Sequence, residues 1–239
     1  MADTNIYSTS NVKALFDEMA ETYGFVNLVS SFGFAERWRR QCVQQIEIIE
    51  DAQVCDLMSG MGETWPTIFE SLGSQGKITA VDLSSVMCTK AKASPAYRQN
   101  DNVEVLEENV LENSLPDESF DYVISSFGLK TFSTEQLGLL SKEINRILKP
   151  GGQFSLVEIS VPSNPILQWF YRFYLNFCIP IIGKLFLGNP DNYRMLWRYT
   201  EAFGDCRKTA SILQTAGLQV QYLEFFFGCA SGLYGYKRQ

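Results

Sequence analysis

Between residues 50 and 160 short apolar runs alternate with stretches of amphipathic pattern. Val54, Cys55, Asp56, Leu57 and Met58 form one run, ending at a glycine-bearing turn as a buried parallel strand does. Residues 77–82, 103–106 and 120–126 predict three more strands, with a polar loop around Leu115, Pro116 and Asp117 before the last of them. Leu137, Leu140, Ile144, Ile147 and Leu148 recur near the helical period and predict a helix over 137–148, stopped by Lys149-Pro150-Gly151-Gly152. Residues 154–159 follow as a fifth strand. This alternation requires crossover connections, hence an α/β fold with a mostly parallel sheet and helices on both faces.

Two segments flank that core. Residues 11–50 read as helical, with an apolar stripe at Leu15, Met19, Val26 and Val29. Residues 163–215 are aromatic-rich and helical in pattern, and 218–239 read as a strand over 220–227 followed by a glycine-punctuated strand. The expected organisation is a helical cap over 1–50, a core over 51–162, and a lid with closing strands over 163–239 that complete the same domain.

Composition narrows the chemistry. With 239 residues, 46% of them hydrophobic and 20% charged, the chain is an ordinary globular one that can bury a core. A net charge of −7 spread through the chain argues against a nucleic-acid partner. Histidine is absent, which excludes an imidazole base, a Ser/His or Cys/His pair and a His-ligated metal. The six cysteines contain no CxxC pair, so no metal site is expected and the thiols read as reduced. Residues 1–10 show no secretory pattern, and the apolar stretch 165–187 is interrupted by Gln168, Arg172, Asn176, Pro180 and Lys184. A cytoplasmic protein without a spanning helix is the expectation.

The candidate site begins at Asp56-Leu57-Met58-Ser59-Gly60-Met61-Gly62-Glu63. Gly60 and Gly62 directly after a strand allow a tight turn whose N–H groups approach a ligand. Asp82 ends the next strand, 20 residues after Gly62, where an acid can accept both hydroxyls of a ribose; as an alternative it caps the helix that follows. Trp65 stands where the third glycine of a dinucleotide fingerprint falls, so a compact nucleoside is favoured over a pyrophosphate. Glu63 either binds an amino group of the ligand or caps a helix.

With these residues the chain resembles class I S-adenosylmethionine-dependent methyltransferases, and among them the UbiE-type ubiquinone/menaquinone C-methyltransferases. The likeness runs through Phe16-Asp17, Ala20, Tyr23, Asn27, Ser31-Phe32-Gly33 and Trp38-Arg39, then Ser126-Phe127-Gly128-Leu129, Leu148-Lys149-Pro150-Gly151-Gly152, residues 158–162 and the tail 228–237. It implies a Rossmann-like seven-stranded sheet with a helical lid and S-adenosyl-L-methionine as cofactor. It also implies that Asp56, Met58, Gly60 and Gly62 surround the methionine end, Asp82 the ribose, Leu83, Asn109 and Val110 the adenine, and Ser126 the sulfonium, with Tyr23 covering the cofactor.

The chain departs from the family at Met58, Gly24, Lys130-Thr131 and Tyr234, where a small residue, Asp, Arg-Asn and His are usual. Lys130 and Tyr193 are the candidate catalytic or substrate contacts, each with a plain packing role as the alternative. The acceptor is expected to be small and apolar, aromatic or prenylated, with quinol C-methylation first. N-, O- or C-methylation of a specialised metabolite, or a cyclase or binding protein that uses the cofactor without methyl transfer, stand beside it. Trp169, Phe170, Tyr171, Phe173, Tyr174, Phe177, Phe186, Tyr193, Trp197 and Tyr199 would line an acceptor pocket, meet a membrane surface peripherally, pack the lid, or form a homodimer contact.

Overall fold

The computed structural model describes residues 6–21, 24, 26, 28, 31–185 and 189–239. Its centre is a seven-stranded sheet in the order β3-β2-β1-β4-β5-β7-β6. The strands are β1 (Gln53–Leu57), β2 (Lys77–Asp82), β3 (Val103–Glu107), β4 (Phe120–Ser126), β5 (Leu148–Ile159), β6 (Leu218–Phe225) and β7 (Ala230–Lys237). The first five run parallel, and β7 enters antiparallel between β5 and β6. Strand order reverses direction at β1 and β4, which opens a crevice at their carboxyl ends.

Side-chain alternation explains why both faces are apolar. Val54, Ile78, Ala80, Tyr122 and Ile124 face one helical layer, where Trp65, Ile68, Cys88 and Ala91 meet them. Cys55, Leu57, Val123, Phe154 and Leu156 face the other, packed by Leu140, Ile144 and Leu213. Strands covered on both sides show the continuous apolar runs from which they were read.

Several element boundaries differ from the sequence pattern. Met58 lies beyond β1 with φ of 55°, in the left-handed region, so it belongs to the turn. The helix of 137–148 is Thr134–Ile147, because Ser133 and Gln136 form a reciprocal capping box whose polar residues carry no apolar period. β5 begins at Leu148, since the residues that stop that helix also pair with β4 through an irregular register at Phe120 and Tyr122. At the far end β6 stops at Phe225, as Phe226 and Phe227 turn with φ of 43° and 55°.

The cover over the crevice consists of the helices Thr9–Met19, Phe34–Val43, Pro165–Phe173, Ile179–Leu185 and Pro190–Phe203. Leu15, Met19, Val26, Tyr193 and Tyr199 form its own small core. Val29 and Phe186 lie outside the described residues. Among the described residues no helix is long and apolar enough to cross a membrane.

Candidate active site

The crevice opens into a cavity walled by the turn after β1, the ends of β2, β3 and β4, and the N-terminal segment. Asp56 stands behind this wall. It is 1% exposed, and its Oδ2 accepts hydrogen bonds from Thr64 Oγ1 at 2.7 Å and Trp65 Nε1 at 3.0 Å. Burial pushes its carboxyl up to about 7 against the pull of those two bonds. Asp56 ties the far end of the turn back to β1 and does not line the cavity, while its Oδ1 is buried without a hydrogen-bond partner.

Gly62 also lies behind the wall, with φ of 82°, and a Cβ there would stand 2.4 Å from the Trp65 ring. The tryptophan that replaces the third glycine is buried flat beneath Gly62, so this glycine serves ring packing rather than ligand approach. Gly60 does reach the cavity, and its N–H donates to Asp82 Oδ2 at 2.8 Å.

Asp82 links two turns. Its Oδ1 accepts the Ser84 N–H at 2.9 Å, while Ser84 itself caps the helix Ser85–Ala93 by accepting the Met87 N–H. Asp82 is thus not the helix cap; it lines the cavity, and each of its oxygens has accepted only one N–H. Burial raises its pKa, opposed by the Ser84 and Gly60 N–H groups. Leu83, Asn109, Val110 and Ser126 line the same cavity. The Asn109 side-chain oxygen accepts Leu111 N–H at 3.1 Å, fixing the turn after β3.

Two strained residues shape the other end. Met58 at φ 55° packs on Gly128, where a Cβ would come within 2.5 Å of its sulfur, and Phe127 holds φ of 64° while almost fully buried. Lys130, 3% exposed, donates from Nζ to Phe127 O and to Glu158 Oε1, each at 2.8 Å, and from its backbone N–H to Glu158 Oε2 at 3.0 Å. Its Nζ pairs with Glu158 beneath the Phe127 turn and it does not line the cavity, so the structure places this expected substrate contact as a support for that turn. Tyr193 packs in the cover's core, away from the wall. Tyr234 sits on β7 and donates to Gln221 across the strand pair, so that departure does not touch the cavity either. Tyr23 lies outside the described residues.

Several wall residues escaped the sequence reading. Tyr7, Thr9, Val12 and Phe16 come from the cover, which is latched by Lys13 Nζ to Leu83 O at 2.9 Å, Ser84 Oγ to Asp17 Oδ1 at 2.5 Å and Gln136 Nε2 to Tyr7 O at 3.0 Å. Arg39 and Phe127 also face in, the guanidinium 5.1 Å from the ring centroid. A signal for Arg39 was present: it interrupts the buried stripe Ala35, Trp38, Cys42 and Val43 of its helix.

A profile of the ubiE/COQ5 methyltransferase family matches residues 4–237. A demethylmenaquinone methyltransferase of Lactiplantibacillus plantarum is 31% identical over 95% of this chain and 96% of its own length. One from Staphylococcus aureus is 30% identical over 100% and 98%. Among solved structures, a possible histamine N-methyltransferase from Thermotoga maritima superposes with a TM-score of 0.65 at 18% identity over 95% and 99% of the two chains. A methyltransferase dependent on S-adenosylmethionine from Aquifex aeolicus does so at 0.58 and 21% over 82% and 88%.

Proposed function

Because the chain belongs to the ubiE/COQ5 methyltransferase family, we propose that it methylates a ring carbon of a quinol, of the kind its relatives' names describe. It is an S-adenosylmethionine-dependent methyltransferase. The observation that carries the acceptor reading is the lining of the cavity, in which the polar groups of Asp82, Gly60, Ser59 and Arg39 share one wall with the apolar side chains of Phe127, Phe132 and Leu111.

The residues present fit the cofactor. Ser59 Oγ and Arg39 Nε are buried without a hydrogen-bond partner in the protein, and Asp82 offers two carboxylate oxygens beside them. Asp82 and Leu83 would hold the ribose and adenine, with Asn109 and Val110 at the adenine's edge, and Met58, Gly60 and Ser126 toward the methionine end. When bound, the cofactor supplies an electrophilic methyl group on a sulfonium. The chain's own contribution is positioning and exclusion of water: Val12 and Phe16 cover one side, while Phe127 and Phe132 present an apolar wall that keeps a flat ring in line. Lys130 acts through Phe127, holding its left-handed turn from below.

A second feature supports an acceptor drawn from a lipid surface. Trp169, Phe170, Phe173 and Phe177 are each at least half exposed, and successive rings stack with Trp169 to Phe173 centroids 6.2 Å and Phe173 to Phe177 5.2 Å apart. Arg172 and Lys184 are exposed on the same helical segment. An amphipathic segment of this kind suits the interface of an anionic bilayer.

The experiment is incubation with methyl-labelled cofactor and a panel of demethylated naphthoquinols, phenols and aromatic amines. Label on a quinol ring carbon is the expected result; label confined to amines or phenol oxygens assigns the specialised-metabolite reading, and binding without label the non-transferring one. Co-sedimentation with phosphatidylglycerol vesicles, lost in Trp169→Glu, is expected for the aromatic face. Loss of a dimer in that variant without vesicle binding would assign the face to a second copy.

A further inference from the structure

Three stretches of chain converge on a face that carries no charge. Residues 31–35, 161–171 and 225–230 contain no Asp, Glu, Lys or Arg, in a chain that is 20% charged. The Tyr171 hydroxyl donates to Cys229 O at 3.2 Å, and the Ser160 N–H donates to the same oxygen at 3.0 Å. A Cβ on Gly228 would stand 3.2 Å from Pro162 Cα, and the Phe34 and Phe226 ring centroids lie 4.5 Å apart.

The rings on this face are exposed against the preference of their own backbone. Phe32, Phe226 and Phe227 hold φ of 50°, 43° and 55°, yet they are 79%, 50% and 74% exposed. A left-handed residue brings its Cβ against the backbone, so glycine suits each of these positions better. A ring left in solvent returns little to the core in exchange, and strain kept under such conditions points to a use outside folding.

Phe127 joins this face to the cavity. It lines the cavity, and it packs in one apolar cluster with Phe34, Trp38, Leu167 and Tyr171. From Trp38 the rings lead outward, 5.5 Å to Phe34, 4.5 Å to Phe226 and 5.5 Å on to Phe227 between successive centroids. A face without charge offers nothing to an ionic ligand or to the polar rim of a protein partner. Its continuity with the cavity suits an apolar chain attached to whatever the cavity holds.

We propose that this face seats the hydrocarbon tail of the acceptor, with Phe34, Phe226 and Phe227 packing the first branched units of a prenyl chain where it leaves the cavity. The assignment rests on the quinol reading. The helix Pro165–Phe173 then serves two sides: Leu167 and Tyr171, four residues apart, pack toward the tail face, while Trp169 and Phe173, at the same spacing, are exposed.

Initial rates of label transfer from methyl-labelled cofactor test it, with one quinol ring bearing no tail, a five-carbon or a ten-carbon prenyl chain, in the absence of vesicles. Because each buried methylene adds to transition-state binding, kcat/KM is expected to rise about thirtyfold from the tail-less ring to the ten-carbon chain. The double variant Phe226→Gly with Phe227→Gly keeps a left-handed turn without the rings; it is expected to flatten that rise to within about threefold and to turn over the tail-less ring within about twofold of wild type. Equal loss on tail-less and tailed rings would overturn the seat in favour of a structural turn. A tail preference that survives the double variant and disappears in Trp169→Glu would overturn it by moving the tail to the exposed helix face. A wild-type protein that uses all three rings equally has no tail seat. One that labels no quinol, with or without a tail, would remove the acceptor reading itself.

Discussion

On the sheet side of the crevice Asp82 holds two backbone N–H groups at 2.8 and 2.9 Å, and Asp56 holds a hydroxyl and an indole at 2.7 and 3.0 Å. On the cover side the contacts are single side chains reaching across: Lys13 to Leu83 O, Ser84 to Asp17, Gln136 to Tyr7 O. The first arrangement fixes the backbone of neighbouring turns and is buried on both faces of a sheet. The second joins separate elements at a part-exposed rim, where each bond contributes little and can open independently. The sheet side of the cavity is consequently pre-formed, whereas its closure by the N-terminal segment depends on a few latches.

The largest effect should come from the support beneath the Phe127 turn. Lys130→Met leaves Glu158 charged and unpaired at 0% exposure and should destabilise the protein by about 3–5 kcal/mol in urea unfolding. Adding Glu158→Gln, which removes the buried charge and keeps an acceptor for one of the Lys130 and Ile159 N–H groups, should recover part of that loss. A stability change below about 1 kcal/mol in the single variant would show that the pair does not hold the Phe127 turn.

Next is the pH dependence of the sheet side. The Asp56 carboxyl is raised to about 7 in the folded protein from 3.8, so its contribution to stability is complete below about pH 4 and is lost as pH rises through about 7. That loss is on the order of 4 kcal/mol. Asp56→Asn, which still accepts from Thr64 and Trp65, should flatten this decline, and stability curves of the two proteins that stay parallel from pH 4 to 8 would break the assignment.

Asp82→Ala removes the acceptor shared by the Gly60 and Ser84 N–H groups and should weaken S-adenosylhomocysteine binding at least tenfold, about 1.4 kcal/mol. Asp17→Ala removes one latch of the cover and should cost about 1 kcal/mol or less, read as a few-fold faster cofactor release. If the latch variant releases cofactor faster than the Asp82 variant, the contrast between a pre-formed floor and a lightly held cover is wrong.

Much of the fold was legible because strands buried on both faces must be apolar along their length. β2 and β4 were read with their observed ends for that reason, while the helix Thr134–Ile147 was begun too late because its capping residues are polar. At the site, Gly60, Asp82, Leu83, Asn109, Val110 and Ser126 were named from strand ends and family motifs, and all line one cavity. Lys130 and Tyr193 were chosen for their chemistry, and both lie buried off the wall, since a residue type does not say which way a side chain points. Arg39 could have been noticed as a charge within an apolar helical stripe, but its partner is 24 positions away in sequence and meets it only in the folded chain.

The sequence alone determined the sheet, the turn that follows β1 and the acid at the end of β2, because each is written in local spacing and in hydrophobic alternation. Tertiary structure decided which of these residues face the cavity. Asp56 and Gly62 turn back to hold Trp65, Lys130 sinks to Glu158, and Arg39 arrives from a separate helix. Burial and charge pairing act between residues distant in the chain, and only packing sets their distances.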